Sequence, residues 1–224
     1  MEGEAAHHLG RVLRAERGQV YELSDGRRVC LARVENVKRD RIEFALAQEL
    51  PTPKATLRTT LLLSIVKFDA FEWALEKATE LGVETIVPLA AARSERALLP
   101  AAPKRAERWR KILLEASQQS RRLRIPAFMQ LTKPEQAFSS CSDAALRVLL
   151  SERPSAPLLR NVLEGQSATS VAMAIGPEGG WTDAEFQAAQ RSGFGEASLG
   201  SLILRTETAV LAALASLNYA LSGR

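Results

Sequence analysis

Histidine and cysteine are scarce in this chain of 224 residues, and their scarcity excludes several kinds of site. The two histidines, His7 and His8, are neighbours, so we expect neither a histidine-based metal site nor a Ser-His-Asp triad. The two cysteines, Cys30 and Cys141, are far apart and match no metal-ligand spacing. We therefore expect no bound metal and a reduced, cytoplasmic setting.

Long apolar runs are also missing. No stretch approaches the roughly 20 apolar residues of a membrane span, and the first four residues lack the basic start and apolar core of a secretory signal. We therefore expect no membrane association. With 46% hydrophobic residues, however, the chain can form a substantial core, as one large domain or as a large one and a small one.

The N-terminal part of the chain has the pattern of a small β-rich domain. Asp25-Gly26 is typical of a tight hairpin turn, because glycine tolerates the positive φ that the turn requires. After a short helix over residues 7–14, strands are predicted over residues 19–23, 27–36 and 41–47.

A proline-containing segment, residues 51–54, predicts a linker after these strands. We therefore expect two domains, residues 1–54 and residues 55–224. The first is near the lower size limit for an independent core, so we expect its stability to depend on the second domain.

Apolar strands alternate with amphipathic helices in the second part, which is typical of an α/β fold with a mainly parallel sheet. The spacing of Asp69 with Glu72, and of Thr182 with Glu185, predicts capping boxes at two helix starts. Strands are predicted over residues 61–66, 83–89, 146–150, 171–175 and 197–199, and helices over residues 69–82, 104–120, 182–193 and 207–221.

The last predicted helix, residues 207–221, is apolar almost all round. A terminal helix without a polar face is either central to the core or buried against another subunit. We favour the second interpretation and expect a homodimer.

Two glycine-containing junctions, residues 175–182 and residues 199–208, each follow a predicted strand and lead into a helix. In a parallel sheet, two such junctions build a cleft at the carboxyl ends of the strands, and clefts of this kind usually bind a small molecule. The alternative is that each junction is only a structural turn.

Neither junction has the spacing of a known phosphate loop. The first is not Gly-x-Gly-x-x-Gly, and it lacks the Gly-Lys-Ser/Thr of a P-loop. Carboxylate-bound Mg²⁺ has little support, because Glu178 and Asp183 lack a partner at metal-ligand spacing. A glycine-rich loop beside an apolar strand suits a flat adenine and a ribose instead.

Positive charge is concentrated between residues 93 and 124. This segment holds ten basic and three acidic residues, a net charge of +7, whereas the whole chain carries +4. Clustered arginine suits phosphate and favours a polyanion partner such as a nucleic acid. A solvated helix face is the alternative interpretation.

These features belong to a series of motifs that resembles the RsmE family, bacterial methyltransferases of the SPOUT superfamily that act on 16S ribosomal RNA. The resemblance covers nearly the whole chain. Besides the two glycine junctions, it is carried by residues 8–14 (HLGRVLR), 72–83 (EWALEKATELGV), 94–96 (SER), 115–120 (EASQQS) and by Arg122, Arg124 and Pro126.

The resemblance implies an α/β fold of the SPOUT type, which is a parallel sheet with a C-terminal trefoil knot. It also implies a small N-terminal PUA-like β-barrel that helps to hold RNA, and a homodimer that meets through the knot and the C-terminal helix. The family usually has a further strand before residue 8. We therefore expect the barrel to lack its first strand, or the start codon to lie further upstream.

The implied cofactor is S-adenosylmethionine, held in a bent conformation by three loops of the knot. The residues assigned to it are Ser151 and Glu152 in the first loop; Ile175, Gly176, Pro177, Glu178, Gly179 and Gly180 in the second; and Leu199, Gly200, Leu202, Leu204 and Arg205 in the third.

The implied reaction is methylation of N3 of a uridine in the decoding region of 16S rRNA. Because N3 carries a proton, we assign Arg205 to the charge that develops on the uracil oxygens. Thr206 and Glu207 are also assigned to catalysis, with Glu207 as the acceptor of the proton. The structural alternatives are an ion pair of Arg205 with Glu207 or Glu178, and helix capping by Thr206 and Glu207.

Other side chains are candidates for contact with RNA. Trp181 and Phe194 are candidates for base stacking, although core packing is the commoner role of such residues. The family often has glycine where this chain has Arg121. The phosphate contacts are assigned to Arg11, Arg14, Arg93, Arg96, Arg122 and Arg124.

Two other functions stay open at this point. One is a knotted methyltransferase for a different RNA position, and the other is a non-enzymatic RNA-binding factor for ribosome assembly. The presence of both glycine junctions and of Arg205-Thr206-Glu207 argues against the second.

Overall fold

The computed structural model describes residues 1–12, 14–38, 40–51 and 57–222, without the side chains of Glu4 and His8. The predicted linker, residues 51–54, lies outside the described residues from position 52 onward. The chain divides into two compact units, Met1–Lys54 and Ala55–Arg224.

The first unit is a three-stranded antiparallel sheet after a short helical segment. Helical backbone begins earlier than the predicted helix over residues 7–14. The elements are helix α1 (Gly3–His7), a π-helical turn (His8–Val12), and strands β1 (Val20–Ser24), β2 (Val29–Val37) and β3 (Ile42–Leu50), in the order β1-β2-β3.

The turn between β1 and β2 is the predicted one. Gly26 has φ +82°, and the Asp25 carboxylate accepts hydrogen bonds of 2.8 Å from the backbone N–H groups of Arg27 and Arg28. These bonds fix the hairpin, and with it the pairing of β1 with β2. A small apolar core lies beneath the sheet, made of Ala6, Leu9, Ala15, Val34 and Ile42.

The second unit is built on a six-stranded sheet in which every neighbouring pair of strands is parallel. The predicted α/β fold with a parallel sheet is therefore confirmed. The strands are β4 (Arg58–Ser64), β5 (Thr85–Leu89), β6 (Ala127–Phe128), β7 (Leu146–Leu150), β8 (Ser170–Ile175) and β9 (Gly195–Ala197). Their order in the sheet is β6-β5-β4-β8-β7-β9.

Helices cover both faces of this sheet. They are α2 (Phe68–Glu80), α3 (Ala102–Gln119), α4 (Pro134–Ser139), α5 (Leu159–Leu163), α6 (Asp183–Arg191) and α7 (Thr206–Leu221). The sequence missed β6 and the two shortest helices of this unit, α4 and α5, because they span few residues.

Among the residues that the structure describes, no helix combines the length and the apolar character that a membrane span requires.

Alternate side chains of the strands enter two different cores, one on each face of the sheet. Leu61 and Leu63 of β4 pack with α2, α3, α5 and α7, whereas Leu62 packs with α4 and α6. The continuous apolar strands predicted a sheet covered on both sides, and this is what they form. The indole of Trp109, 1% exposed, lies in the first core against the rings of Phe68, Phe71 and Phe128.

One predicted capping box is wrong and the other is confirmed. Helix α2 begins at Phe68, so Asp69 lies inside its first turn and does not cap it. Glu72 instead accepts hydrogen bonds from Arg108 of α3, and these hold the pKa of the Glu72 carboxyl below its usual value. At α6, Thr182 and Glu185 bond each other's backbone N–H groups, as predicted.

The chain leaves α3 through a left-handed turn. Arg121 has φ +55°, a value that favours glycine. Its N–H bonds the carbonyl of Gln118 at 3.2 Å, and the N–H of Arg122 bonds that of Ser117 at 2.8 Å. This pair of bonds is the Schellman arrangement, which usually places glycine where Arg121 stands.

Replacing Arg121 by glycine should therefore stabilise the protein. We expect the free energy of unfolding to rise by about 1 kcal/mol, because glycine has no Cβ to strain at this φ. Urea denaturation measures the change. Arg121→Ala is the matched control: it removes the same charge but keeps the Cβ, so an equal gain from both variants would contradict the explanation.

Candidate functional site

Three loops meet at one edge of the sheet, where the neighbouring strands β8, β7 and β9 have their carboxyl ends. In chain order, the first loop follows β7, the second follows β8 and the third follows β9. They enclose a cleft of about 190 Å³. Its lining is formed by residues 150–152, 175–181 and 199–204, with Thr206 and Ala209.

The cleft brings together every residue that the sequence assigned to a cofactor except Arg205. Its lining also includes Leu150, Ser201 and Ile203, which the sequence did not single out. The role of each lining residue stays a prediction, but the structure shows that all three loops share one cleft.

The second loop packs tightly because three of its positions are glycine. A Cβ on Gly176 would lie 3.0 Å from the Trp181 indole, and one on Gly179 would lie 3.1 Å from the Cβ of Arg93. Gly180 has φ +68°, and a Cβ there would collide with the Glu152 carboxylate. The first loop therefore lies directly against the second.

Trp181 connects the second loop to the sheet. Its side chain is 4% exposed, and its indole N–H donates a hydrogen bond of 3.0 Å to the carbonyl of Leu150. This bond ties the second loop to the end of β7. Trp181 and Phe194 are both buried in the core, so the base-stacking hypothesis is wrong for them and the core-packing alternative is correct.

Two side chains brace the second loop from the direction of β5. Arg93 donates hydrogen bonds to the carbonyls of Gly179 at 2.9 Å and Trp181 at 3.1 Å. The buried carboxylate of Glu185, besides capping α6, accepts a hydrogen bond of 2.9 Å from the N–H of Ala92. The structure thus gives Arg93 a loop-holding contact, and its predicted RNA contact stays untested.

The third loop is apolar and exposed. Gly200 has φ +132°, and Leu202 and Ile203 are 80% and 84% exposed. A covering group is needed to remove so much apolar surface from water, whether it is a ligand or another protein surface.

The residues assigned to catalysis lie where the third loop enters α7. Arg205 is exposed, and no described carboxylate forms an ion pair with it, so the ion-pair alternative is not supported. Thr206 is buried and donates a hydrogen bond of 3.1 Å to the carbonyl of Gly176. It therefore joins the third loop to the second and does not cap the helix.

One carboxylate oxygen of Glu207, Oε2, is buried without a hydrogen-bond donor among the described residues. Buried polar atoms are nearly always paired, so an unpaired carboxylate oxygen calls for an explanation. Glu207 does not line the cleft itself but lies one residue beyond Thr206, which does.

The arginines assigned to RNA are distributed unevenly. Arg122 donates a hydrogen bond of 2.8 Å to the carbonyl of Thr79 at the end of α2, and burial lowers the pKa of its guanidinium. This contact is structural. Arg96 and Arg124 are exposed in the second unit, and Arg11 and Arg14 are exposed in the first. For all of them, contact with phosphate stays a prediction.

Within the described part of the chain, no group of three or more His, Cys, Asp or Glu side chains is placed to hold a metal ion.

Comparison with known proteins identifies the larger unit. The family model for the RNA methyltransferase domain matches residues 53–218. The chain is 34% identical to the ribosomal RNA small subunit methyltransferase E of Synechocystis sp. over 95% of this chain and 70% of that protein. It is 32% identical to the protein of the same name from Bacillus subtilis, over 97% and 88% of the two chains.

Solved structures agree with these matches. Ribosomal RNA small subunit methyltransferase E from Neisseria gonorrhoeae, bound to S-adenosylmethionine, is similar with a TM-score of 0.88 and 31% identity, over 99% of this chain and 91% of that one. A structure from Legionella pneumophila, also in complex with that cofactor, gives a TM-score of 0.85 and 32% identity, over 97% and 89% of the chains.

The fold and the three-loop cleft thus define an RNA methyltransferase domain. The chain belongs to the ribosomal RNA small subunit methyltransferase E family, which is the RsmE family that its motifs resemble.

Replacing Arg93 by alanine should loosen the second loop. We expect the free energy of unfolding to fall by about 1–2 kcal/mol, because the carbonyls of Gly179 and Trp181 lose a charged donor. Urea denaturation measures this. Arg96→Ala, three residues along and exposed, should change stability by less than about 0.5 kcal/mol. Equal effects of the two substitutions would show that Arg93 does not brace the loop.

Proposed function

We propose that this protein transfers a methyl group from S-adenosylmethionine to N3 of a uridine in the decoding region of 16S rRNA. The partner is 16S rRNA or the small ribosomal subunit. The main support from the structure is the composition of the cleft. Its charged lining residues are two carboxylates, Glu152 and Glu178, in a chain whose net charge is positive.

This composition suits the cofactor. S-adenosylmethionine carries a sulfonium and an ammonium group, and carboxylates at the cleft favour such cations. The glycines of the second loop let its backbone approach a ligand closely, and the apolar third loop provides a surface for a flat adenine. The described lining also has no basic side chain of the kind that usually binds phosphate-rich ligands.

The reaction is an in-line displacement at the methyl carbon. When bound, the cofactor supplies an activated methyl group and leaves as a neutral thioether. The three loops would align it with N3 of the uracil and exclude water, and such alignment can lower the barrier by about 7–11 kcal/mol. As the N3–methyl bond forms and the sulfur–methyl bond breaks, the N3 proton has to leave.

Two residues are proposed for this proton and its charge. The unpaired Oε2 of Glu207 is the proposed acceptor of the N3 proton. The exposed guanidinium of Arg205, at the entrance to α7, is the proposed partner of the negative charge on the uracil oxygens. Thr206 holds both neighbours in place through its bond to Gly176.

The wider architecture is part of the proposal. The first unit would be a PUA-like barrel that helps to hold RNA, which is supported by its antiparallel sheet and by exposed Arg11 and Arg14. The second would be a SPOUT domain with a trefoil knot. In support, α7 packs on β8 and α2 although the preceding strand, β9, lies at the edge of the sheet.

Dimerisation through α7 and the third loop is also proposed. The outer face of α7 exposes Leu211, Ala215 and Tyr219, the last of them 94% exposed. Together with Leu202 and Ile203 they form apolar surface that a second copy would cover. Such an interface would explain why the sequence of α7 is apolar almost all round.

The experiment that tests the function is methyl transfer from labelled S-adenosylmethionine to small ribosomal subunits that lack the modification, followed by nucleoside analysis. The expected product is labelled 3-methyluridine. A different labelled nucleoside would indicate another RNA position. No label and no cofactor binding would favour the assembly factor.

Substituting Glu207 by glutamine tests the proposed proton acceptor. We expect kcat to fall about 10²–10⁴-fold while the Kd for the cofactor is unchanged, because the amide cannot accept the proton. The remaining activity should rise with pH, as the uracil loses its proton to the solvent. A variant with the wild-type pH–rate profile and full turnover would rule Glu207 out as the acceptor.

A further inference from the structure

Arg153 lies within the first loop, immediately after Glu152, and does not line the cleft, yet its side chain contacts three different parts of the chain. Its Nη2 lies 2.5 Å from Oδ1 of Asp183, and its Nη1 lies 3.6 Å from Oε1 of Glu196. Its guanidinium stands over the ring of Phe186, 3.5 Å from the centroid. The flat group therefore combines two ion pairs with a cation–π contact.

The positions of these partners along the chain show which loops the side chain of Arg153 connects. Asp183 is the first residue of α6, two positions after the second loop ends at Trp181. Glu196 lies in β9, immediately upstream of the third loop. A side chain of the first loop thus contacts the chain where it leaves the second loop and where it enters the third.

Arg153 also shapes its own loop. Its backbone N–H donates a hydrogen bond of 3.1 Å to the hydroxyl of Ser151, which closes the turn around Glu152. The Glu152 carboxylate in turn lies against Gly180, on the wall of the cleft. The placement of that carboxylate therefore depends on where Arg153 is held.

The network is open to solvent on one side. The side chain of Arg153 is 39% exposed and that of Asp183 is 88% exposed, and both line a second groove of about 540 Å³. Exposed ion pairs contribute little to global stability and are screened by salt. Their effect is therefore expected in the alignment of the loops and not in the stability of the fold.

We propose that Arg153 is a positioning residue, which aligns the three loops for the cofactor through Asp183, Glu196 and Phe186 and acts on the cofactor through Glu152. This inference rests on the proposed function, because it takes the cleft as the S-adenosylmethionine site. It predicts a contribution to cofactor affinity that is separate from the chemical step.

The test is to measure cofactor binding by calorimetry and methyl transfer to small ribosomal subunits for wild type and Arg153→Ala. We expect Kd and KM for S-adenosylmethionine to rise about tenfold, with kcat at saturating cofactor within about twofold of wild type. The melting temperature should change by less than about 2 °C. Unchanged Kd and KM, or a fall in kcat alone, would overturn the proposal.

Matched variants separate positioning from a general loss of structure. Arg153→Lys keeps the charge but cannot bridge two carboxylates, so it should recover only part of the affinity. Arg147→Ala removes another arginine of the β7 region, which donates to the carbonyl of Ser142 away from the cleft, and should leave Kd unchanged. Equal losses from Arg147→Ala and Arg153→Ala would contradict the proposal.

The two anions provide a second route if Arg153→Ala does not fold. Asp183→Asn and Glu196→Gln should each weaken cofactor binding, and each should have less effect when Arg153 is already lysine, because the residues act through one network. Independent effects would overturn the proposal. If wild type binds no S-adenosylmethionine, the proposed function itself fails; if wild type binds and these variants match it, only the role of Arg153 fails.

Discussion

The site depends on the close approach of the second loop to the indole of Trp181 and to the first loop. Glycine is favoured at position 176 because a Cβ there would lie only 3.0 Å from the indole, and at position 180 because φ is positive and Glu152 occupies the space. The indole N–H then ties this loop to Leu150 at the end of β7. The bond from Thr206 to Gly176 adds the third loop, so one short segment fixes the position of all three.

Much of this arrangement could be predicted from the sequence. Continuous apolar strands alternating with amphipathic helices specify a parallel sheet covered on both faces, and glycine junctions after such strands meet at one edge. The elements that were missed, β6, α4 and α5, have two, six and five residues, too few to show a period. The capping box predicted at Asp69 failed because α2 begins one residue earlier, at Phe68, and because Glu72 pairs with Arg108, a partner distant in sequence.

The roles of individual arginines could not be read from charge alone. The basic segment suggested phosphate contacts, yet Arg93 bonds the carbonyls of the second loop and Arg122 bonds the end of α2. For Arg153, by contrast, the sequence suggested no role at all. Its partners Asp183 and Glu196 are distant in sequence and reach it only through the fold. A guanidinium with five donors serves backbone carbonyls, carboxylates and phosphates equally well, so its partner is decided by tertiary structure.

The interpretation of the site depends on the three-loop cleft binding S-adenosylmethionine, and a crystal structure of the protein with this cofactor is the decisive measurement. We expect density between the second and third loops, in contact with the backbone of Gly176 and Gly180 and with residues 199–204, and with Glu152 at its edge. Density at another place, with the cleft empty, would show that the three loops do not form the cofactor site.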